Sequence, residues 1–448
     1  MTPIKKINEN ILSFKTTLTY TISLLTVSEK PSRSFQLPFS RSFSPLDSYP
    51  ETMKYQDLLE SVQSAAGLRL RLRLQPMYGE GELIFPSTVD KGAYLVSERR
   101  IPGYESAVDC AIIDSVQSQA NRFEKALLDD IRAGNIEIPH VVTDFSGLSG
   151  LTKSVGEITC FDAPHRIFDA IIRDSVDSDG THFPLTETGK AIISSNASNA
   201  TAIFGVSPAS LLFGSWDSTG ISGGLGEKYT RCVVSELVGV NALTATRAGV
   251  RRDPLNASKD ADPVKILKET KDEMWTELNR KTKFTKPSQL NHGNVPWGGD
   301  GGGVHGGVTV DYVRQSTTIS FPALRQLRFP VAGKDTPATS ASAQAVLAAM
   351  ALHAVALNVE AGCHLRSRCD LIMDEKSSAW ELLNAGNKEA IPLTAEQTRV
   401  ILNEAIAGAK AAGLPWNDQP IRLSPSAALA KLVTVSQEQH AQSTELED

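Results

Sequence analysis

Leu68-Arg69-Leu70-Arg71-Leu72-Arg73-Leu74 alternates apolar and charged residues without a break. A period of two is the repeat of a β-strand, so the leucines line one face and the arginines the other. Such a strand holds its register only with the leucine face on a core. It follows a helix-period segment, Tyr55–Ala66, with Leu58, Leu59 and Val62 inward, and the turn residue Gly67. On the opposite face three guanidiniums stand about 6.6–6.8 Å apart, the two-residue step of a strand. That spacing approaches the repeat of a nucleic-acid backbone, and arginine forks suit phosphate oxygens or stack on unpaired bases. No acidic residue lies between Ser61 and Gly79. The competing reading is a solvated face, or arginines paired with carboxylates from elsewhere in the chain.

The 448-residue chain carries 45 Lys and Arg against 51 Asp and Glu, a formal net charge of -6. No global basic field draws it to nucleic acid, so any phosphate contact has to come from local clusters. Its length and 41% hydrophobic content supply ample core for one large domain or two fused ones. Cys110, Cys160, Cys232, Cys363 and Cys369 are scattered and odd in number, which fits a reduced, cytoplasmic protein rather than a disulfide framework. Residues 1–53 are rich in Ser, Thr and Pro around an apolar patch at Leu18–Val27. Thr and Tyr dilute the patch, Lys15 interrupts the approach and no small-residue cleavage site follows, so we expect a disordered extension or a mis-assigned start. Ala343–Val359 comes nearest to a membrane span, but it is short and holds Gln344, His353 and Asn358, and so reads as a buried helix.

Residues 54–435 read as one domain. A strand at Ala111–Ile113 runs into Asp114-Ser115 and a helix through Leu128, whose first half carries Gln117, Ser118, Gln119, Asn121 and Arg122. Free N–H groups at such a helix start favour anions, although a polar helix start on the surface is common. Asp162-Ala-Pro-His165-Arg166 opens a further helix, with Asp162 as N-cap and Pro164 in the first turn. Its buried stripe is Ile167, Phe168, Ile171 and Ile172, while Arg166 and Arg173 share a stripe with Asp169, an arrangement that also makes an intrahelical ion-pair row. The apolar run Pro208–Phe213 enters a glycine-rich loop, Gly220–Gly226, with Lys228 and Arg231 beyond it.

Residues 286–308 are rich in Gly and Pro and read as a long loop or flexible insertion. Strands return at Val308–Val313 and Ser316–Phe321, and residues 331–342 read as a linker. Cys363–Leu371 alternates again, with His364, Arg366, Arg368 and Asp370 on one face. Thr394 and Gln397 form the capping box of a last helix that stops at Gly413, and residues 436–448 are a polar tail. Strands and helices thus alternate irregularly, which implies an α+β fold with large insertions.

Enzymatic constellations are weak. The Gly220–Gly226 loop fails as a P-loop because Glu227 separates Gly226 from Lys228 and no Ser or Thr follows the lysine. Its glycines still permit close approach of backbone N–H groups to a phosphate; a plain flexible turn is the alternative. Gly205-Val-Ser207-Pro-Ala209 resembles a nucleophile elbow only faintly, since Pro208 lacks the N–H an oxyanion hole needs. Alternation puts His364 on the face opposite Cys363 and Cys369, so core cysteines are preferred to a metal site. Asp144, Asp174, Asp177 and Asp179 have no spacing that implies magnesium. No metal, cofactor or catalytic residue is expected.

Tyr55-Gln-Asp-Leu-Leu, the Leu68–Leu74 strand, Asp114-Ser-Val-Gln-Ser-Gln-Ala-Asn-Arg122, Asp162-Ala-Pro-His-Arg166 with Ile172-Arg-Asp-Ser175, and Phe213-Gly-Ser-Trp-Asp-Ser-Thr-Gly220 through Lys228 together resemble one family. This is the Csb-one group, the Cas-seven-type backbone subunit of type I-G (formerly I-U) CRISPR Cascade, in the RAMP superfamily. The resemblance is strong from Tyr55 to Pro254 and looser to Leu371. Residues 1–53 depart from its pattern, and residues 286–308 and the tail after Gly413 remain unassigned.

The resemblance implies an RRM-like (ferredoxin-like) palm with insertions, polymerised with other copies of itself as a helical filament along a guide RNA (crRNA). A thumb hairpin would interrupt base pairing at regular intervals, the guide would pair with target DNA, and a separate helicase-nuclease would cut. Other Cascade partners would be a large subunit and a Cas-five/Cas-six-type subunit, with no membrane involved. The Gly223-Gly224 turn matches the family's RNA-contacting loop by position and type. Candidate RNA contacts are then Arg69, Arg71 and Arg73; Gln117, Ser118, Asn121 and Arg122; His165 and Arg166; Gly223, Gly224, Lys228 and Arg231; and Arg366 and Arg368. Two alternatives stand beside this: a metal-dependent, target-RNA-cleaving backbone subunit of type III character, and a general single-stranded nucleic-acid chaperone. The chaperone is disfavoured because aromatics are 6% of the chain and do not interleave with the arginines.

Overall fold

The computed structural model describes residues 53–443, apart from 90–92, 152, 221–225, 248, 257–265, 268–283, 286–292, 298–303, 375–376, 378 and 385. The extension expected at residues 1–53 lies outside the described residues, except for Met53. The fold is α+β, built on a nine-stranded sheet. In chain order its strands are β1 Gly67–Pro76, β2 Val96–Arg99, β3 Val108–Asp114, β4 Val233–Val240, β5 Tyr312–Ser320, β6 Cys363–Arg366, β7 Cys369–Met373, β8 Trp380–Asn384 and β9 Asn387–Ile391. The spatial order is β6-β7-β1-β5-β4-β3-β2, while β8 shares the β7 edge of β1 and carries β9. Every pair in it is antiparallel.

β1 takes its place because its leucines have somewhere to go. Leu68, Leu70, Leu72 and Leu74 are all buried, together with Ile319, Val313, Leu237 and Ile113 from the neighbouring strands. Helices α1 (Tyr55–Ser64), α2 (Val116–Arg132), α3 (Pro337–Glu360) and α4 (Ala395–Ala411) add side chains to this core. At the head of β1, a side chain on Gly67 would put a Cβ 2.2 Å from the Ile319 carbonyl oxygen, so only glycine lets β1 and β5 begin their ladder there. α3 is the Ala-rich helix, with 94% of its most apolar window buried. Its small side chains allow close packing on every side. The expected linker ends at Thr336, which caps the helix by accepting from the Thr339 N–H, and Pro337 sits at the start, where its missing N–H costs nothing.

His353 of α3 joins three helices, with Nε2 2.9 Å from Asp130 of α2 and Nδ1 3.1 Å from Thr398 of α4. Burial holds its pKa below the ordinary value, against the pull of Asp130. The unfolded chain therefore takes up a proton that the folded one resists. The associated stability is complete above about pH 6.5 and is lost as pH falls through the folded pKa. Urea titrations at pH 7.5 and 5.5 should show a larger acid loss for the wild type than for His353→Gln.

Several expected elements differ in the structure. The Cys363–Leu371 alternation is a hairpin, turning at Ser367-Arg368, where Arg368 has φ +62°. His364 and Asp370 still share a face, because they are cross-strand partners. Asp162 does not cap a helix; its carboxylate accepts from Thr159 N and Oγ1, and Asp169 caps the short helix Ala170–Arg173 after one 3-10 turn. The strands expected at 308–313 and 316–321 become Val304–Thr309 and an unbroken β5, separated at Val310-Asp311. The helix Ala427–Ser443 carries the first part of the expected polar tail.

The expected insertion at 286–308 is partly a β-ribbon. Leu243–Arg247 pairs with Val304–Thr309, Gly249–Arg251 with Val295–Trp297, and Ile266–Leu267 with Phe284–Thr285, nested antiparallel between β4 and β5. Pro296 is tolerated because a two-stranded ribbon pairs along one edge only. Gly306 lets the strands close: a Cβ there would lie 2.6 Å from the Thr246 carbonyl carbon. A smaller sheet of Glu157–Thr159, Val141–Asp144, Ile421–Pro425 and Ser175–Val176 completes the domain.

Candidate nucleic-acid interface

The arginines of β1 lie on the sheet face opposite the leucine core. Arg71 is exposed, whereas the Arg69 and Arg73 side chains are 18% and 31% exposed. Their cross-strand neighbours on β5 are Thr318, Ser316 and Arg314, all polar. The competing reading holds in part: Arg69 Nε donates to Glu381 of β8 at 2.7 Å, and Arg73 Nε to Asp374 at 2.8 Å. Arg69 keeps the Glu381 carboxyl below its ordinary pKa, so that partner is ionised. The Arg73 guanidinium also stacks 3.8 Å from the Tyr312 ring centroid. Among the described residues, Arg69, Arg71, Arg73 and Arg314 line this strip with Glu381 and Asp374, four cations to two anions. Farther across, Arg99 is balanced by a two-pronged bond to Glu236.

A second cluster sits in a cleft of about 490 Å³. Ser215-Trp216 pairs with Lys228-Tyr229 in a short ribbon, and Gln117, His165 and Arg231 complete the wall. Trp216 is 46% exposed, with Lys228 Nζ 5.4 Å from its ring centroid. Arg231 Nε donates to the Phe213 carbonyl oxygen, and burial followed by the nearby Arg166 lowers its pKa. The structure therefore brings together Gln117, His165 and the pair Lys228 and Arg231, from three separate stretches of the chain.

Arg166 is a correction. It is buried, at φ +54°, and binds Glu124 through Nε at 2.6 Å and Nη2 at 2.7 Å, while Nη1 donates to the Gly214 carbonyl oxygen. Every arm of its guanidinium is occupied within the fold, so it shapes the cleft wall instead of meeting phosphate. Burial pushes the Glu124 carboxyl up to about 7, with Arg166 pulling it down. Arg122 is likewise used as a strap, from Asp114 to the carbonyl oxygens of His364 and Leu365 on β6. Ser118 and Asn121 lie on α2, half-buried and exposed. Arg366 and Arg368 occupy a third place: Arg366 donates to the Pro86 carbonyl oxygen, and Arg368 covers the Phe85 ring at 4.3 Å, with Arg247 of the ribbon 5.1 Å from the same ring. Gly223 and Gly224 lie outside the described residues.

Among the described residues no group of three His, Cys, Asp or Glu converges as a metal site. Burial pushes the thiols of Cys363 and Cys369 up to about 12, the signature of inert core cysteines. Sequence reasoning missed Arg314, Trp216, Ser215 and Tyr229. Arg314 was recoverable, because reading Tyr312–Ser320 as one strand puts it on the polar face with Ser316 and Thr318. Glu381 and Asp374 carried no local signal, standing about 300 residues from the arginines they bind.

A family model described as CRISPR-associated protein GSU0053, of Csb-one and Cas-seven type, matches residues 68–244. A search of curated proteins found no match. The matched region starts at the first leucine of β1 and ends in the first strand of the ribbon, so it contains the β1 arginines and the whole cleft. Residues 68–244 are thus similar to that CRISPR-associated family.

Proposed function

We propose that the chain is a non-catalytic, guide-RNA-gripping backbone subunit of a type I-G CRISPR Cascade. The observation that carries this reading is the arginine strip of Arg69, Arg71, Arg73 and Arg314 on the sheet face away from the leucine core. The sheet face away from the core is the surface on which an RRM-like palm meets RNA. The ribbon nested between residues 243 and 309 is its thumb, the hairpin that would interrupt pairing between guide and target DNA. The net charge of -6 restricts RNA to this strip and the cleft, so the subunit follows one strand without coating itself in nucleic acid. Copies of the chain and the other Cascade subunits then assemble along the guide in the cytoplasm.

The test begins with nucleic acid extracted from the protein purified from cells that also express a CRISPR array. Discrete RNAs with repeat-derived ends are expected; heterogeneous fragments would favour the chaperone reading. Incubating the assembled complex with complementary RNA and magnesium should leave that RNA intact. Cleavage abolished by changing a single aspartate would overturn the non-catalytic role.

A further inference from the structure

Phe85 stands where three parts of the chain meet. A pair of backbone bonds between Ile84 and Val308 ties its segment to the ribbon, and its own N–H donates to the Arg368 carbonyl oxygen at the turn of the β6–β7 hairpin. Gly307, at φ +102°, makes the approach possible, since a Cβ there would lie 3.1 Å from the Phe85 ring. Three exposed arginines gather around that ring. The Arg368 guanidinium lies 4.3 Å from the ring centroid, and that of Arg247, from the ribbon, 5.1 Å. Arg366 donates from Nη1 to the carbonyl oxygen of Pro86, the next residue. The two guanidiniums on Phe85 are thus under about 10 Å apart, within the Debye length at 0.1 M salt, where like charges repel.

Two local irregularities aim these side chains. A register shift between His364 and Arg366 breaks the alternation of β6, and such a bulge re-aims the residue beside it. Arg368 takes φ +62°, a region that suits glycine or asparagine and strains an arginine. Strain of this kind points to a role for the side chain it presents. Neither Arg366 nor Arg368 forms an ion pair among the described residues, while Asp370 of the same hairpin accepts from His364 and Tyr78. Cation–π contact uses the flat face of a guanidinium, whereas forked bonds to phosphate use its N–H edge, so one arginine can make both. The position of the cluster indicates which phosphate. The hairpin pairs with the C-terminal end of β1, through Leu74, Gln75 and Pro76, and the ribbon leads into β5 beside that same end. The row Arg69, Arg71, Arg73 therefore runs toward it.

We propose that Arg247, Arg366 and Arg368, steadied by Phe85, bind a backbone phosphate at the root of the ribbon, from the strand that follows the β1 arginines. The inference rests on the RNA-binding reading for the source of that phosphate. Inorganic phosphate has the same chemistry, and the experiment separates the two.

Binding of a single-stranded RNA to the full chain is followed by fluorescence anisotropy over a salt series, and binding of inorganic phosphate by calorimetry. One variant combines Arg366→Ala with Arg368→Gly, because glycine takes φ +62° without strain and keeps the turn. It should bind RNA about tenfold more weakly, the effect of losing one charge-assisted hydrogen bond. Its slope of log affinity against log salt should fall by about 0.7, one single-strand phosphate contact. Phe85→Leu should also weaken RNA binding, whereas Phe85→Tyr, which keeps the aromatic face, should bind as the wild type does. A Phe85→Tyr chain as weak as Phe85→Leu would overturn the positioning role of the ring. Wild-type affinity and slope in the double variant, with Arg71→Ala weakening RNA binding, would overturn the ribbon-root site and leave the RNA reading standing. Inorganic phosphate bound by the wild type and lost in the double variant, with no RNA bound by either, would support the site and overturn the RNA reading. Binding of neither by the wild type would overturn both.

Discussion

Arg166→Ala should lower the free energy of unfolding by about 3–5 kcal/mol, because it leaves a buried carboxylate without its counter-ion. Glu124 is 1% exposed and Arg166 6%, so solvent cannot replace the lost partner. The Gly214 carbonyl oxygen loses its donor as well, at the edge of the cleft. The deficit depends on pH in a defined direction. Burial already raises the folded-state pKa of Glu124, and removing Arg166 removes the largest opposing influence. A carboxyl raised above its unfolded value favours the fold below that value and loses this contribution as pH rises through the folded one. The deficit should therefore widen between pH 5 and pH 8 in urea denaturation. Arg166→Met with Glu124→Leu should recover much of it, since replacing both charges removes the desolvation cost. If the pair of substitutions costs as much as the sum of the two singles, the two side chains are not coupled and the argument fails.

Arg69→Ala, Arg71→Ala and Arg73→Ala combined should produce the largest loss of RNA affinity and flatten its salt dependence. Each single-strand phosphate contact contributes about 0.7 to the slope of log affinity against log salt, so three contacts would remove about 2. The structure makes the three unequal. Arg71 is exposed, while Arg69 and Arg73 are half-buried. Arg71→Ala alone should thus account for the largest single share. Glu381→Gln with Asp374→Asn should act the other way, tightening binding by releasing two guanidiniums and removing two anions from the face. An unchanged slope in the triple variant would show that RNA does not touch this face.

Much of the local structure was legible from residue order. The period-two leucines placed β1, Ser115 and Thr394 cap their helices as side-chain chemistry requires, and Gly413 ends the last of these at φ +83°. The ribbon at 243–309 was not legible, because its pairing joins segments tens of residues apart and its Gly and Pro content imitates a loop. The cleft was half legible: its cations were visible as charges near helix starts and glycines. The short ribbon that gathers them was not, because strands of two residues show no period.

The strand Leu68–Leu74 separates the two kinds of information. By itself the sequence determined that this segment is a strand, that four leucines are buried and that three arginines oppose them, since backbone geometry alone alternates the faces. Only the tertiary structure decided what those arginines meet. Glu381 and Asp374 reach them from the far end of the chain, and long-range partners are set by how the sheet is assembled, which no local period encodes. The same assembly turned Arg166 inward to Glu124 and drew Gln117, His165, Lys228 and Arg231 around one opening.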